Sequence, residues 1–184
     1  MPLYFAYASN MDVEAMRVRC PRSQALGRAR LMRHRFALMR EGYATVATDP
    51  RAIVHGVLWE LALSDVRTLD TFESTDSRLY KKIIQPVFRE GGVSARALVY
   101  VGRAGSPAKT LPGYMEGVIA AARAWELPQA YIRELEGFRA GASRASSPMA
   151  QTRALRPVVR AERDETGNVK VRARFASPHD RGGT

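Results

Sequence analysis

One cysteine, Cys20, is all that the chain carries. A single thiol excludes an internal disulfide and any multi-cysteine metal site. Cys20 precedes Pro21 and has no histidine near it, so it is expected as a buried thiol at a helix end and not as a nucleophile. Histidine is scarce as well. His34, His55 and His179 are widely separated and sit in no metal-ligand spacing, so no metal is expected. No stretch approaches the roughly 18 consecutive apolar residues of a membrane span. The opening segment MPLYFAYASNM lacks a basic region and an apolar region, so no secretory signal is expected and the cytoplasm is the simplest compartment. P-loop, G-x-G-x-x-G and G-x-S-x-G patterns are all missing. An enzyme built from this chain would therefore work with carboxylates, backbone donors and tyrosines, with no metal and no covalent nucleophile evident.

What the chain does have suits an ordinary globular domain. It holds 184 residues, of which 46% are hydrophobic and 26% charged. That length fits one domain with a short appendage, and a domain near this size hides about two-thirds of its unfolded surface. The net charge is +11, and it is unevenly spread. Residues 1–139 carry 20 Lys+Arg against 14 Asp+Glu, and residues 140–184 carry 9 against 4. A basic chain is drawn to anionic partners through a salt-sensitive field. No stacking signature or recognition helix accompanies the arginines, so a solvated basic surface is expected and nucleic acid is not.

Periodicity and turn chemistry lay out the elements. Leu3 to Tyr7 reads as a strand ending in the turn-forming Ala8-Ser9-Asn10, followed by a short helix over Asp12 to Cys20. Leu26 to Met39 alternates basic and apolar residues and predicts one or two strands. Ala44 to Ala47 is extended, Asp49-Pro50 is a turn signal, and Val54 to Leu61 is a central strand. Ser64 is expected to cap a helix that carries Val66, Leu69 and Glu73 on one face. Tyr80–Phe88 and Ala95–Val101 are strands joined through Gly91-Gly92. Helices are expected over Pro112–Trp125 and Pro128–Phe138, with Pro112 at a helix start. Several strands and few helices argue for an α+β fold. The expected division is a domain over 1–139 and a basic linker and extension over 140–184. Gly141 to Gln151 is the linker, and Val158-Val159 and Val169 to Phe175 flank a hairpin turn at Asp164–Asn168. A lone hairpin is marginal in water, so it is expected to pack on the domain or on a second copy in a homodimer, or to stay loose.

Two features point to chemistry. The junction Tyr7-Ala8-Ser9-Asn10 runs from strand to turn to helix, where successive N–H groups can hold a carboxylate or an oxyanion; an ordinary capped turn has the same sequence. Glu73 continues an apolar stripe, which would desolvate its carboxyl and make it a better proton shuttle near neutral pH. The alternative is a solvated glutamate at a fraying helix end. Tyr80, Tyr100 and Tyr114 could line a pocket, although aromatics at such places are more often core.

These residues resemble a known family. Tyr4-Phe5-Ala6-Tyr7-Ala8-Ser9-Asn10 resembles the Y-F-A-Y-G-S-N signature of γ-glutamylcyclotransferases. Gly42-Tyr43-Ala44-Thr45 resembles the family's G-x-A-T, His55 to Glu60 its W-G-V-V-W strand, and Leu69-Asp70-Thr71-Phe72-Glu73 its L-D-x-x-E. Tyr80, Tyr114 and Leu127-Pro128-x-x-Tyr131 follow in order, so the resemblance spans about residues 3–138. It implies a small mixed β-barrel flanked by helices. It implies conversion of γ-glutamyl amino acids or γ-glutamyl amines to 5-oxoproline, with Glu73 as catalytic acid and base. Tyr4, Phe5, Ala6, Tyr7, Ala8, Ser9, Asn10, Tyr80 and Tyr114 would hold the substrate, and no cofactor is needed. The competing expectation is a non-catalytic module of the same fold that holds a γ-glutamyl or other carboxylate ligand. Ala8 stands where the family has glycine. A need for positive φ there would penalise alanine, whereas a need for close approach would let the methyl narrow the pocket. Asn10-Met11 departs from the glutathione-specific S-L-x-W version, so glutathione is not the expected substrate.

Overall fold

A computed structural model of the chain describes residues 1–72, 79–105, 111–140, 159–163 and 169–173. The linker 141–151, the hairpin turn 164–168, Arg174, Phe175, His179 and Glu73 lie outside the described residues. The chain divides into two compact units, Met1–Ser146 and Ser147–Thr184. In the second, β6 (Val159–Arg163) and β7 (Val169–Ala173) pair antiparallel, with Val159 opposite Ala173.

In the first unit, β1 (Leu3–Ala6), β2 (Gln24–Leu38), β3 (Ala44–Glu60), β4 (Tyr80–Arg89) and β5 (Ser94–Gly102) close into a barrel in the order β1-β3-β2-β4-β5. The barrel is mixed. β1 meets β5 in parallel at Tyr4 and Leu98, and every other contact is antiparallel. Four helices flank it: α1 (Val13–Arg19), α2 (Leu63–Phe72), α3 (Tyr114–Ala124) and α4 (Gln129–Ala140). None is long and apolar enough to cross a membrane. Side chains from both layers share one core, including Phe5, Leu31, Val57, Leu58, Val99, Met115, Val118 and Leu135. The edge-to-face pair Phe36–Phe138, with centroids 5.0 Å apart, ties β2 to α4.

β2 is one strand with two slips in its pairing to β3. The ladder shifts between Ala25 and Gly27, where Gly27 has φ 111°, and between Met32 and His34, where Arg33 has φ 60°. Such extra residues bend a strand and raise its twist, which is how a long hairpin wraps into a barrel wall. Asp49-Pro50 does not break β3. Thr48 pairs with His34 and Ile53 with Met32, so the four residues between them stand outside the ladder. Pro50 has no N–H to donate, and here none is required.

Two helix starts differ from expectation. α2 begins at Leu63, one residue before Ser64, whose hydroxyl donates to Asp65 Oδ1 at 3.2 Å. Asp65 is buried, and its Oδ2 accepts from Arg22 N (3.0 Å) and Ser23 Oγ (2.9 Å), so it pins the α1–β2 turn onto α2. α3 begins at Tyr114 behind a left-handed Gly113 (φ 78°), which places Pro112 in the preceding turn. Asp12 caps α1 as its position implies, accepting from Ala15 N at 2.9 Å. Cys20 is the buried C-cap of α1.

Candidate functional site

The chain leaves β1 at Ala6 and tightens at once into a single 3₁₀ turn, Ser9–Met11, before α1. Met11 N donates to Ala8 O at 2.9 Å, and Asp12 N donates to Ser9 O at 3.2 Å. From outside the turn, Trp125 Nε1 donates to Met11 O at 2.7 Å. The side chain of Asn10 is buried and held from two sides. Its Nδ2 donates to Tyr4 Oη (2.9 Å), and its Oδ1 accepts from Arg19 Nη1 (2.5 Å). The Arg19 guanidinium also lies over the Phe72 ring, 3.8 Å from its centroid, so one side chain joins this turn to the last residue of α2.

Beside the turn is a cleft of about 280 Å³, part of it open to solvent. It is lined by Tyr4, Tyr7, Ala8, Ser9, Asn10, Ala44, Tyr80, Tyr100 and Tyr114. The backbone of Ala44 positions two of these tyrosines. Its N–H donates to Tyr114 Oη (3.1 Å) and its carbonyl accepts from Tyr80 Oη (2.8 Å). Ala44 is itself fixed by the next residue. Thr45 Oγ1 accepts from Gly102 N and donates to Gly102 O, both at 2.9 Å, closing β3 onto β5 with a side chain. Tyr100 also lines the cleft, packed edge-on against Tyr4 with centroids 5.6 Å apart. Tyr7 Oη donates to the Tyr100 carbonyl (2.5 Å), and Tyr100 Oη donates to Asp70 Oδ1 (2.6 Å).

Of the residues singled out in the sequence, Tyr4, Tyr7, Ala8, Ser9, Asn10, Tyr80 and Tyr114 converge on this cleft. Phe5 and Ala6 do not line it. Both are fully buried, because β1 lies between β3 and β5 and the barrel core covers its sides. Glu73 lies outside the described residues, directly after Phe72. Ala8 has φ −138°, so its methyl carries no left-handed strain and acts only by narrowing the cleft it lines. The sequence offers Tyr100 as a possible pocket residue, with core as the commoner reading, and does not single out Ala44 as a site residue. A tyrosine inside a strand reads as core, and a backbone N–H and C=O that hold two hydroxyls leave no mark in the side-chain pattern.

Among the described lining residues none is a carboxylate or a strong base. Among the described residues no cluster of His, Cys, Asp or Glu could hold a metal ion. His55 is lowered by burial and by Arg30, and Glu134 and Tyr131 are raised by burial.

Comparison with known proteins places this arrangement. The sequence model of the AIG2-like family matches residues 53–135. A γ-glutamylcyclotransferase of Mus musculus is 30% identical over 148 residues, covering 74% of this chain and 78% of the relative. The γ-glutamylcyclotransferase of Homo sapiens is 27% identical over 146 residues at the same coverage. A solved γ-glutamyl cyclotransferase structure superposes with a TM-score of 0.69 at 24% identity, over 84% of this chain and 93% of that one. With the barrel in common and the Mus musculus relative 30% identical over 78% of that relative's length, the chain belongs to the γ-glutamylcyclotransferase family.

Proposed function

We propose that this chain converts γ-glutamyl amino acids or γ-glutamyl amines to 5-oxoproline, releasing the free amino acid or amine. The observation that carries the reading is the tyrosine-walled cleft at the end of β1, with α2 packed against its wall at Tyr100 and ending one residue before Glu73. Family membership supports it.

The reaction needs little from the protein. The substrate's own α-amine attacks its γ-carbonyl carbon, the ring C–N bond forms, and the bond to the leaving nitrogen breaks. The two protons that the α-ammonium gives up are the two that the leaving nitrogen gains. Glu73 carries them across and ends unchanged. The protein's gain is proximity, since a tethered amine held near its carbonyl behaves as an intramolecular reactant. The tyrosines fold the glutamyl chain back on itself, and the Tyr7–Asn10 segment offers backbone N–H groups to a carboxylate or to the developing oxyanion.

The test is 5-oxoproline release from a panel of γ-glutamyl amino acids and amines, with Glu73→Gln as control. We expect product from the unaltered protein and at least a hundredfold less, on the order expected for a lost acid–base group, from the variant. Turnover retained by a folded Glu73→Gln protein would remove Glu73 from the mechanism. Binding of a γ-glutamyl compound without product from either protein would favour a non-catalytic module.

A further inference from the structure

Asp70 belongs to the L-D-x-x-E segment, yet the reaction as written gives it no task. It sits in the last two turns of α2, partly shielded from solvent. Its carboxylate meets a hydroxyl and an ammonium. Oδ1 accepts the Tyr100 hydroxyl proton at 2.6 Å. Lys82, reaching over from β4, places Nζ 2.8 Å from Oδ1 and 2.7 Å from Oδ2. Tyr100 is almost fully buried, and it lines the cleft together with Tyr80 and Tyr114. Its main chain is fixed from the cleft side by Tyr7. The chain of contacts therefore runs from a lysine near the surface, through a carboxylate, to the hydroxyl of a tyrosine that lines the cleft.

A hydroxyl has one proton to give and two lone pairs to offer. Where that proton is committed to a carboxylate, the oxygen faces other partners only as an acceptor. The negative neighbour also makes that oxygen a stronger acceptor. We propose that Asp70 is a positioning residue that orients Tyr100 as a hydrogen-bond acceptor at the cleft wall, with Lys82 balancing its charge. An acceptor at that wall suits an ammonium or amine N–H and not an oxyanion. On the γ-glutamyl reading above, its partner is the α-amine of the substrate, the group that must be turned toward the γ-carbonyl. The oxyanion is left to the backbone donors of the Tyr7–Asn10 segment.

Two measurements test this, one with turnover and one without. The first is the pH profile of kcat/KM in Asp70→Asn, Lys82→Met and the double variant. Asp70→Asn leaves the Lys82 charge unbalanced, which favours the deprotonated amine and base, so the acid limb should move to lower pH. Lys82→Met leaves the carboxylate unbalanced and should move the limb to higher pH. Each shift should be roughly half a unit to one unit for a neighbouring charge at the effective dielectric near a protein surface, and the double variant should return toward the original limb. Asp70→Asn should also lose roughly ten- to a hundredfold in kcat/KM, the cost of a misplaced contact.

The second measurement is the alkaline titration of tyrosine absorbance, with Tyr100→Phe identifying the Tyr100 component. A neighbouring carboxylate opposes formation of the tyrosinate, so the component should fall to lower pH in Asp70→Asn. Opposite limb shifts together with this displacement support the inference. Unmoved limbs with an active enzyme, or a Tyr100 titration indifferent to Asp70, overturn it. A protein that makes no 5-oxoproline but shows the Tyr100 displacement leaves the Asp70–Tyr100 coupling standing and removes only the γ-glutamyl reading.

Discussion

Ala8 is the residue at which this chain departs from its family's signature inside the cleft, and its backbone decides what the departure does. At φ −138° the residue lies outside the left-handed region, so alanine carries no left-handed strain there. Its methyl adds bulk to a cleft already walled by five tyrosines. The effect should therefore fall on substrate size and not on stability. Ala8→Gly should raise kcat/KM for γ-glutamyl compounds with bulky leaving groups by roughly tenfold, the scale of one methyl group in a pocket, while changing small ones little. Comparing kcat/KM across leaving groups of graded size checks this. A uniform change across the series would mean that Ala8 acts through the turn and not through space. Around it, small groups do the positioning: the Ala44 peptide fixes Tyr80 and Tyr114, and Asn10 joins Tyr4 to Arg19.

Among the elements, β3 lies between β1 and β2 and holds the cleft-forming segment in place. Gly56 lets β1 lie close. A Cβ at that position would overlap the Ala6 carbonyl oxygen and press on the Phe5 ring. The obstructing oxygen is backbone, so the strand itself would have to shift. Gly56→Ala should destabilise the domain by roughly 1–3 kcal/mol, as overpacking does. It should also displace the start of the Ser9–Met11 turn, so that activity falls further than stability alone accounts for. Urea unfolding and kcat/KM on the same variant measure the two, and an unfolding midpoint equal to that of the unaltered protein would refute the close approach. Much of this architecture was legible in the residues. In β2 the arginines fall at 28 and 30 and then at 33 and 35, and that change of phase coincides with the slip at Arg33. The turn signal at Asp49-Pro50 was also real, but it marks the other half of the same irregularity. Only the pairing partner makes the two into one bulge, and local sequence does not name partners. The cleft was readable where the signature is a side-chain pattern, in Tyr4 to Asn10, Tyr80 and Tyr114. It was only half readable at Tyr100, where a strand tyrosine fits a pocket or a core, and not readable at Ala44, where backbone groups build it.

Across the domain, β3 and α4 meet at His55, where an ionisable group links barrel and helix layer. The imidazole lies 5.0 Å from the Tyr131 ring, half-buried, with Arg30 opposite it on β2. Burial first, and the Arg30 charge second, hold its pKa below the ordinary value. The sign of the consequence follows from proton uptake. Below about pH 6.5, the ordinary histidine value, the unfolded chain binds a proton at this site that the folded chain resists, so stability falls as pH drops. The loss levels off once the pH is below the folded-state value and both forms are protonated. Glu134, raised by burial, acts in the opposite sense but lower, in the carboxylate range, where protonation favours the folded form. Thermal melts from pH 8 to 5 should therefore show a decline beginning near pH 6.5, and His55→Gln should flatten that part of the curve while leaving the carboxylate region unchanged. The cleft is built from other residues, so kcat/KM at pH 8 should be the same in that variant. A decline of equal slope in His55→Gln would assign the acid sensitivity to some other group and leave His55 as packing between β3 and α4.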